Sequence, residues 1–190
     1  MRALQRLAAR PPRLVLAATA GGLLALGWFA PAAAALAAAL LARLAVRRGT
    51  ARRPAEAVIA ASADRYEELL VLGGLAAFFR SAVAPLALVL VAIAGAYMAS
   101  YATAKAEAHG AKPQAGAADR FACVSTLTVG VVLVPLARLA STLVELPAWA
   151  AHTPLLVALG TVAVVGNVSA ILRLRAVASW GEASRRALAR

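Results

Sequence analysis

The 190-residue chain is 63% hydrophobic and 15% charged, with a mean hydropathy of +0.79, which excludes a soluble domain and indicates an integral membrane protein. Its net charge of +12 is not the mark of a nucleic-acid binder, because no aromatic residues interleave with the arginines in an RNA-binding pattern. A lone Cys123 excludes an internal disulfide and a thiolate metal site, and the chain has no P-loop, Gly-x-Gly-x-x-Gly or Ser-His-Asp pattern.

Six apolar runs follow in chain order: 14–30, 32–41, 69–79, 82–99, 121–137 and 154–172, each bounded by arginine, proline or polar clusters. The second and third reach the roughly 20 residues of a span only if they extend into their flanks, to about Arg43 and back to about Glu56. The expected fold is therefore all-α, a single membrane domain over residues 1–190 with six transmembrane helices. A basic N-terminal segment (1–13) and a basic C-terminal tail (173–190) flank it. The arginines before the first run resemble a signal-peptide n-region. That run is long for a signal peptide, however, and a second apolar segment follows Trp28-Phe29-Ala30-Pro31 directly, so a retained first span turning at that point is expected.

Eighteen of the twenty basic residues fall before the first run, between the second and third, between the fourth and fifth, or after the sixth. The positive-inside rule then places both termini on the cytoplasmic side of a plasma (inner) membrane, with anionic lipid headgroups as the partners of this charge. His109 and His152 fall on opposite sides and cannot form a pair. Arg138 and Glu145, near the far end of the fifth run, could line a transport path or simply pair near the surface.

Only eight acidic residues occur, yet Asp64, Glu67 and Glu68 lie within five positions of one another beside Arg65, where the third run begins. On a helix, Asp64 and Glu68 share a face above Ala57, Ala60 and Ala61, a small-residue surface that admits a neighbouring helix or ligand. Such a pair can hold a divalent cation against a phosphate, or serve as a polar helix start at the membrane surface. At the end of the fourth run, Tyr97, Tyr101 and Lys105 form one helical stripe and Ser100, Thr103 and Glu107 the next, followed by Gly110 as a helix C-cap and a loop through Lys112, Pro113 and Gly116. That stripe suits an interfacial anchor. Two polar clusters on one membrane face also suit a shared site, in which Asp64, Glu68, Lys105 and Arg120 would border one cavity.

Asp64-Arg65-Tyr66 with Glu68, the Gly73-Gly74 that follows, Ser100-Tyr101 with Lys105 and Glu107, and Gly116 with Asp119-Arg120 together resemble the CDP-alcohol phosphatidyltransferases. The resemblance runs from about the second span to the fifth. It implies transfer of a phosphatidyl group from a CDP-linked lipid to an alcohol with release of CMP, a step of phospholipid biosynthesis. It further implies Mg²⁺ or Mn²⁺ at Asp64 and Glu68, Glu68 as a candidate base, Arg65, Ser100, Tyr101, Lys105 and Arg120 at nucleotide or phosphate, and a homodimer. The family signature is Asp-x-x-Asp-Gly-x-x-Ala-Arg, eight residues, Gly, three, Asp, three, Asp. With its third aspartate on Asp64, the fourth falls on Glu68 and the first two on Arg43 and Val46; a one-residue shift of the first half puts those two on Leu44 and Arg47. The first half of the signature thus has no carboxylate, and Thr103 stands where the family often has arginine. A degenerate member with little or no transferase activity is one expectation. A homologue that binds lipid or nucleotide, or pairs with an active relative, is the other.

Overall fold

The computed structural model describes residues 11–47, 54–108, 120–144 and 147–188. The described residues form six α-helices: α1 (Pro11–Ala25), α2 (Phe29–Arg47), α3 (Pro54–Phe78), α4 (Val83–Ala108), α5 (Arg120–Leu143) and α6 (Thr153–Leu188), with a 3₁₀ turn at Ala148–His152 before α6. Among the described residues there is no strand. In a solvent that offers no hydrogen bonds, helices satisfy every backbone group within one segment, as these Ala- and Leu-rich sequences require.

The first apolar run is divided earlier than expected. Leu26–Trp28 turn the chain, with Trp28 N–H donating to Leu23 O and Gly27 N–H to Leu24 O, both at 2.9 Å, and Gly27 at φ +76°. This is a Schellman cap with glycine in the left-handed position. Pro31 lies in the first turn of α2, where its missing N–H leaves no intrahelical bond unmade. The α3–α4 turn is equally tight, closed by Ala82 N–H to Phe79 O at 2.8 Å.

Among the described residues, three helices carry apolar stretches long enough to cross a bilayer unaided: Val83–Ala108, Ala122–Leu143 and Trp149–Ser179. The apolar parts of α1 and α2 are shorter, at Arg13–Ala25 and Phe29–Leu44, and the middle of α3 carries the acidic stretch. These three helices pack together, α1 against both α2 and α3, and their polar residues meet inside the bundle. At one end lie exposed Tyr66 and Tyr101, and at the other exposed Trp28 and Trp149, the disposition of aromatic belts at two membrane interfaces.

The helices approach closely through glycine. A Cβ on Gly74 of α3 would overlap the Gly21 carbonyl oxygen of α1, and one on Gly21 would overlap Leu70 O. Between α4 and α6, a Cβ on Gly95 would come within 2.5 Å of Asn167 Nδ2. That amide instead donates to Val91 O at 3.1 Å and Ala163 O at 2.8 Å, tying the two helices together. Leu24, Phe29, Leu72, Leu75, Val131, Leu155 and Leu159 fill the core between these crossings.

At the end away from the acidic stretch, Arg138 of α5 sits over the Phe29 ring at 5.0 Å and lies 3.3 Å from His152 Nε2. His152 in turn packs against Phe29 and Phe78. Arg138 is thus engaged in joining the helix ends. Glu145, weighed with it as a transport residue, lies outside the described residues.

Candidate functional site

The acidic stretch occupies the third and fourth turns of α3, and its neighbours decide what it can do. Arg13, in the first turn of α1, and Arg43, in the last turns of α2, reach it from two directions. Arg13 Nη2 donates to Asp64 Oδ1 at 2.9 Å and to Glu67 Oε2 at 3.0 Å; Arg43 Nη2 donates to the same two oxygens at 3.1 and 2.9 Å. Two guanidinium nitrogens and two carboxylate oxygens therefore alternate around a closed ring of four ion pairs spanning three helices. Both arginines and Glu67 are buried, whereas the Asp64 side chain keeps 27% of its exposure and is the ring's opening to the surface. Breaking such a pair on one side strands the remaining charge at low dielectric, so the ring also closes the end of the bundle.

Glu68, one residue on from the ring, is held by Arg65 at 2.6 Å in an i, i+3 pair. Arg65 also donates to Ala96 O of α4 at 3.2 Å, the carbonyl that accepts Ser100 Oγ at 2.8 Å. One turn further along α4, Ala99 O accepts Thr103 Oγ1 at 2.9 Å and Arg173 Nη1 of α6 at 3.1 Å, and Arg173 donates to the Thr103 hydroxyl as well. Arginines from α3 and α6 thus clamp α4 at adjacent turns. Tyr101 and Lys105 project from its exposed side. The side chains of Arg47 and Arg120, and the loop containing Gly110, Lys112 and Gly116, lie outside the described residues.

A cavity of about 30 Å³ lies between α1, α2, α3 and α5, with apolar walls that include Leu36, Leu40 and Leu127 and a polar end formed by Arg43, Glu67, Glu68 and Thr128. At roughly 10–15 Å³ per water it has room for about two. Glu68 is in its wall; Asp64 and Lys105 are not among its lining residues.

Sequence reasoning paired Asp64 with Glu68 on the i, i+4 relation. In the fold, Asp64 shares its arginines with Glu67 and Glu68 turns to Arg65, an i, i+3 division that the same helical geometry allows. Glu67 as a ring member and Arg13 as anything more than a topology charge were missed. Arg43 was read as a span boundary, a topology charge and a residue standing in place of a carboxylate, not as a partner of Asp64 and Glu67. The signal available was charge balance: a membrane helix carrying three acids needs buried cations nearby, and α1 and α2 carry arginine at their matching ends.

Divalent metal fits this donor set poorly. Among the described residues no three His, Cys, Asp or Glu side chains converge as a metal site. The ring oxygens are already taken by the guanidiniums of Arg13 and Arg43. A cation about 4 Å from one of them meets a repulsion of about 4 kcal/mol per unit charge at an effective dielectric of 20.

No protein-family profile and no curated protein matches this chain. Among solved structures, the phosphatidylinositol phosphate synthase of Mycobacterium tuberculosis, crystallised with CDP-DAG bound, superposes with a TM-score of 0.70 at 22% identity, covering 93% of this chain and 90% of that one. The same enzyme crystallised with manganese and citrate gives the same score and identity, with 86% of its chain covered. At that identity the likeness establishes a shared fold over nearly the whole length of both proteins.

Proposed function

We propose that this chain is a membrane-embedded relative of the CDP-alcohol phosphatidyltransferases that binds a CDP-linked lipid at the Asp64 end of the bundle and transfers its phosphatidyl group slowly or not at all. The fold shared with a CDP-DAG-binding synthase and the resemblance around Asp64, Ser100 and Lys105 support the lineage. The observation that carries the low-activity reading is the ring in which Arg13 and Arg43 each bond both Asp64 and Glu67. In place of carboxylates gathered around metal, two guanidiniums are built into the chain. A guanidinium attracts a diphosphate through charge and paired hydrogen bonds, but it cannot stabilise both the attacking and the leaving oxygen as a two-metal clamp can. Arg65, Ser100, Tyr101, Lys105 and Arg120 belong to the nucleotide and phosphate side of this proposal.

The deciding assay is CMP release from CDP-diacylglycerol by the purified protein, with a panel of alcohols and Mg²⁺ or Mn²⁺. The expected turnover is far below about 1 s⁻¹, an ordinary enzyme rate. A rate at or above that level, abolished by Asp64→Ala, would overturn the proposal in favour of a catalytic Asp64–Glu68 metal site with Glu68 as base.

The same reading puts the ring on the cytoplasmic side. It is supported by the clustering of eighteen of the twenty basic residues in the N-terminal segment, the alternate connections and the C-terminal tail. Reporter fusions at Ala111 and at the C-terminus are expected to read cytoplasmic, and one at Ala150 external. An external signal at Ala111 would separate the loop after α4 from the proposed site.

A further inference from the structure

The ring poses a competition inside the molecule. If Arg13 and Arg43 are the cations that receive a phosphate, Asp64 and Glu67 already occupy them in the free protein. The geometry points to an autoinhibitory contact: the two carboxylates act as internal substitutes for an anionic ligand, and a diphosphate binds by displacing them from the two guanidiniums. This inference rests on the proposed metal-free binding at the ring and deepens it.

Three features support the exchange. Each arginine spends one nitrogen, Nη2, on both carboxylates, so the fork geometry that would grip an oxyanion through two parallel bonds is not used on either one. Arg13 Nε is buried with no hydrogen-bond partner, although the Arg13 side chain is only 9% exposed. A donor left unmade at that depth is a standing cost that a ligand oxygen would remove. Finally, Asp64 is the most exposed member of the ring, at 27%. It can swing toward water when displaced, while the deeper Glu67, 10% exposed, stays with the arginines.

The consequence runs opposite to that of a metal site. Where carboxylates hold a cation that holds a phosphate, neutralising a carboxylate weakens phosphate binding; here it frees an arginine and strengthens binding. The test uses full-length protein in nanodiscs with EDTA, titrated with CDP-diacylglycerol in the bilayer and, separately, with free CDP and with pyrophosphate. The two arms distinguish a lipid-linked diphosphate from a soluble one. Asp64→Asn, an amide of the same shape at the most exposed ring position, is expected to bind at least one of these ligands about tenfold more tightly than the unmodified chain. Glu67→Gln is the second variant should the first fold poorly, and Arg43→Gln is expected to lose the binding. Amide variants that bind no more tightly than the unmodified chain would overturn the displacement, whereas the metal-free reading would stand if Arg43→Gln still lost binding. If no ligand binds in EDTA but CDP-diacylglycerol binds with Mn²⁺, the metal-free reading fails and this inference with it.

Discussion

The double variant Arg13→Ala, Arg43→Ala is expected to lose about 3–5 kcal/mol or more of stability in metal-free detergent and to recover part of that loss when Mn²⁺ is added. The magnitude follows from removing one side of a buried ion-pair network, which leaves the other side's charges without compensation. Here Asp64 and Glu67 would both lose their partners, and Glu67 is buried. The recovery follows from linkage. The two freed carboxylates, with water completing the coordination, make a donor set that a divalent ion can enter, and an ion present at about 100 times its dissociation constant stabilises by about 2.7 kcal/mol. Thermal melting of the purified protein with EDTA, Mg²⁺ and Mn²⁺ reads both effects. The unmodified chain is expected to melt at the same temperature in all three, because its arginines fill the cation's place. A double variant as stable as the unmodified chain would show that the ring holds nothing together, and a metal-stabilised unmodified chain would show that the arginines yield to metal.

Gly74→Leu is expected to cost about 3 kcal/mol or more, at or above the upper end of ordinary overpacking. The reason is that the new side chain would meet backbone. A Cβ at Gly74 would overlap the Gly21 carbonyl oxygen and come within 2.7 Å of Gly21 Cα, and no rotamer change can move those atoms aside. Helices α1 and α3 must separate, and the loss reaches the site. Gly74 lies ten residues beyond Asp64 and Gly21 eight beyond Arg13, about 15 and 12 Å along their helices. A wedge at that crossing therefore tilts Arg13 away from Asp64 and Glu67. Melting of Gly74→Leu beside Gly73→Leu tests this, because a Cβ at Gly73 meets nothing within 4 Å. Equal melting temperatures for the two would sink the argument.

The membrane class was legible in the chain itself. A mean hydropathy of +0.79 with 15% charge leaves a chain little choice, since apolar runs of span length must leave water and must then satisfy their own backbone as helices. The six helices of the described residues followed from the breaks between runs. Boundaries were less legible: the turn at Leu26–Trp28 is set by a glycine cap inside an apolar run, where hydropathy barely changes.

The partners of the acidic stretch belonged to tertiary structure alone. Helical periodicity states which residues of one helix share a face, and it allowed Asp64 to stack with Glu67 or with Glu68 equally. It cannot state which other helix lies against that face. Arg13 is 51 residues from Asp64 and 54 from Glu67, and Arg43 is 21 and 24 residues away; no local rule reaches across such separations. Their meeting depends on the glycine crossing of α1 and α3 and on the short turn that returns α2 beside them. The sequence by itself placed three carboxylates within five positions of one another and set arginines at the ends of neighbouring apolar runs. Packing decided that two of those arginines turn inward onto Asp64 and Glu67, because buried carboxylates in a low-dielectric bundle are tolerable only with cations against them.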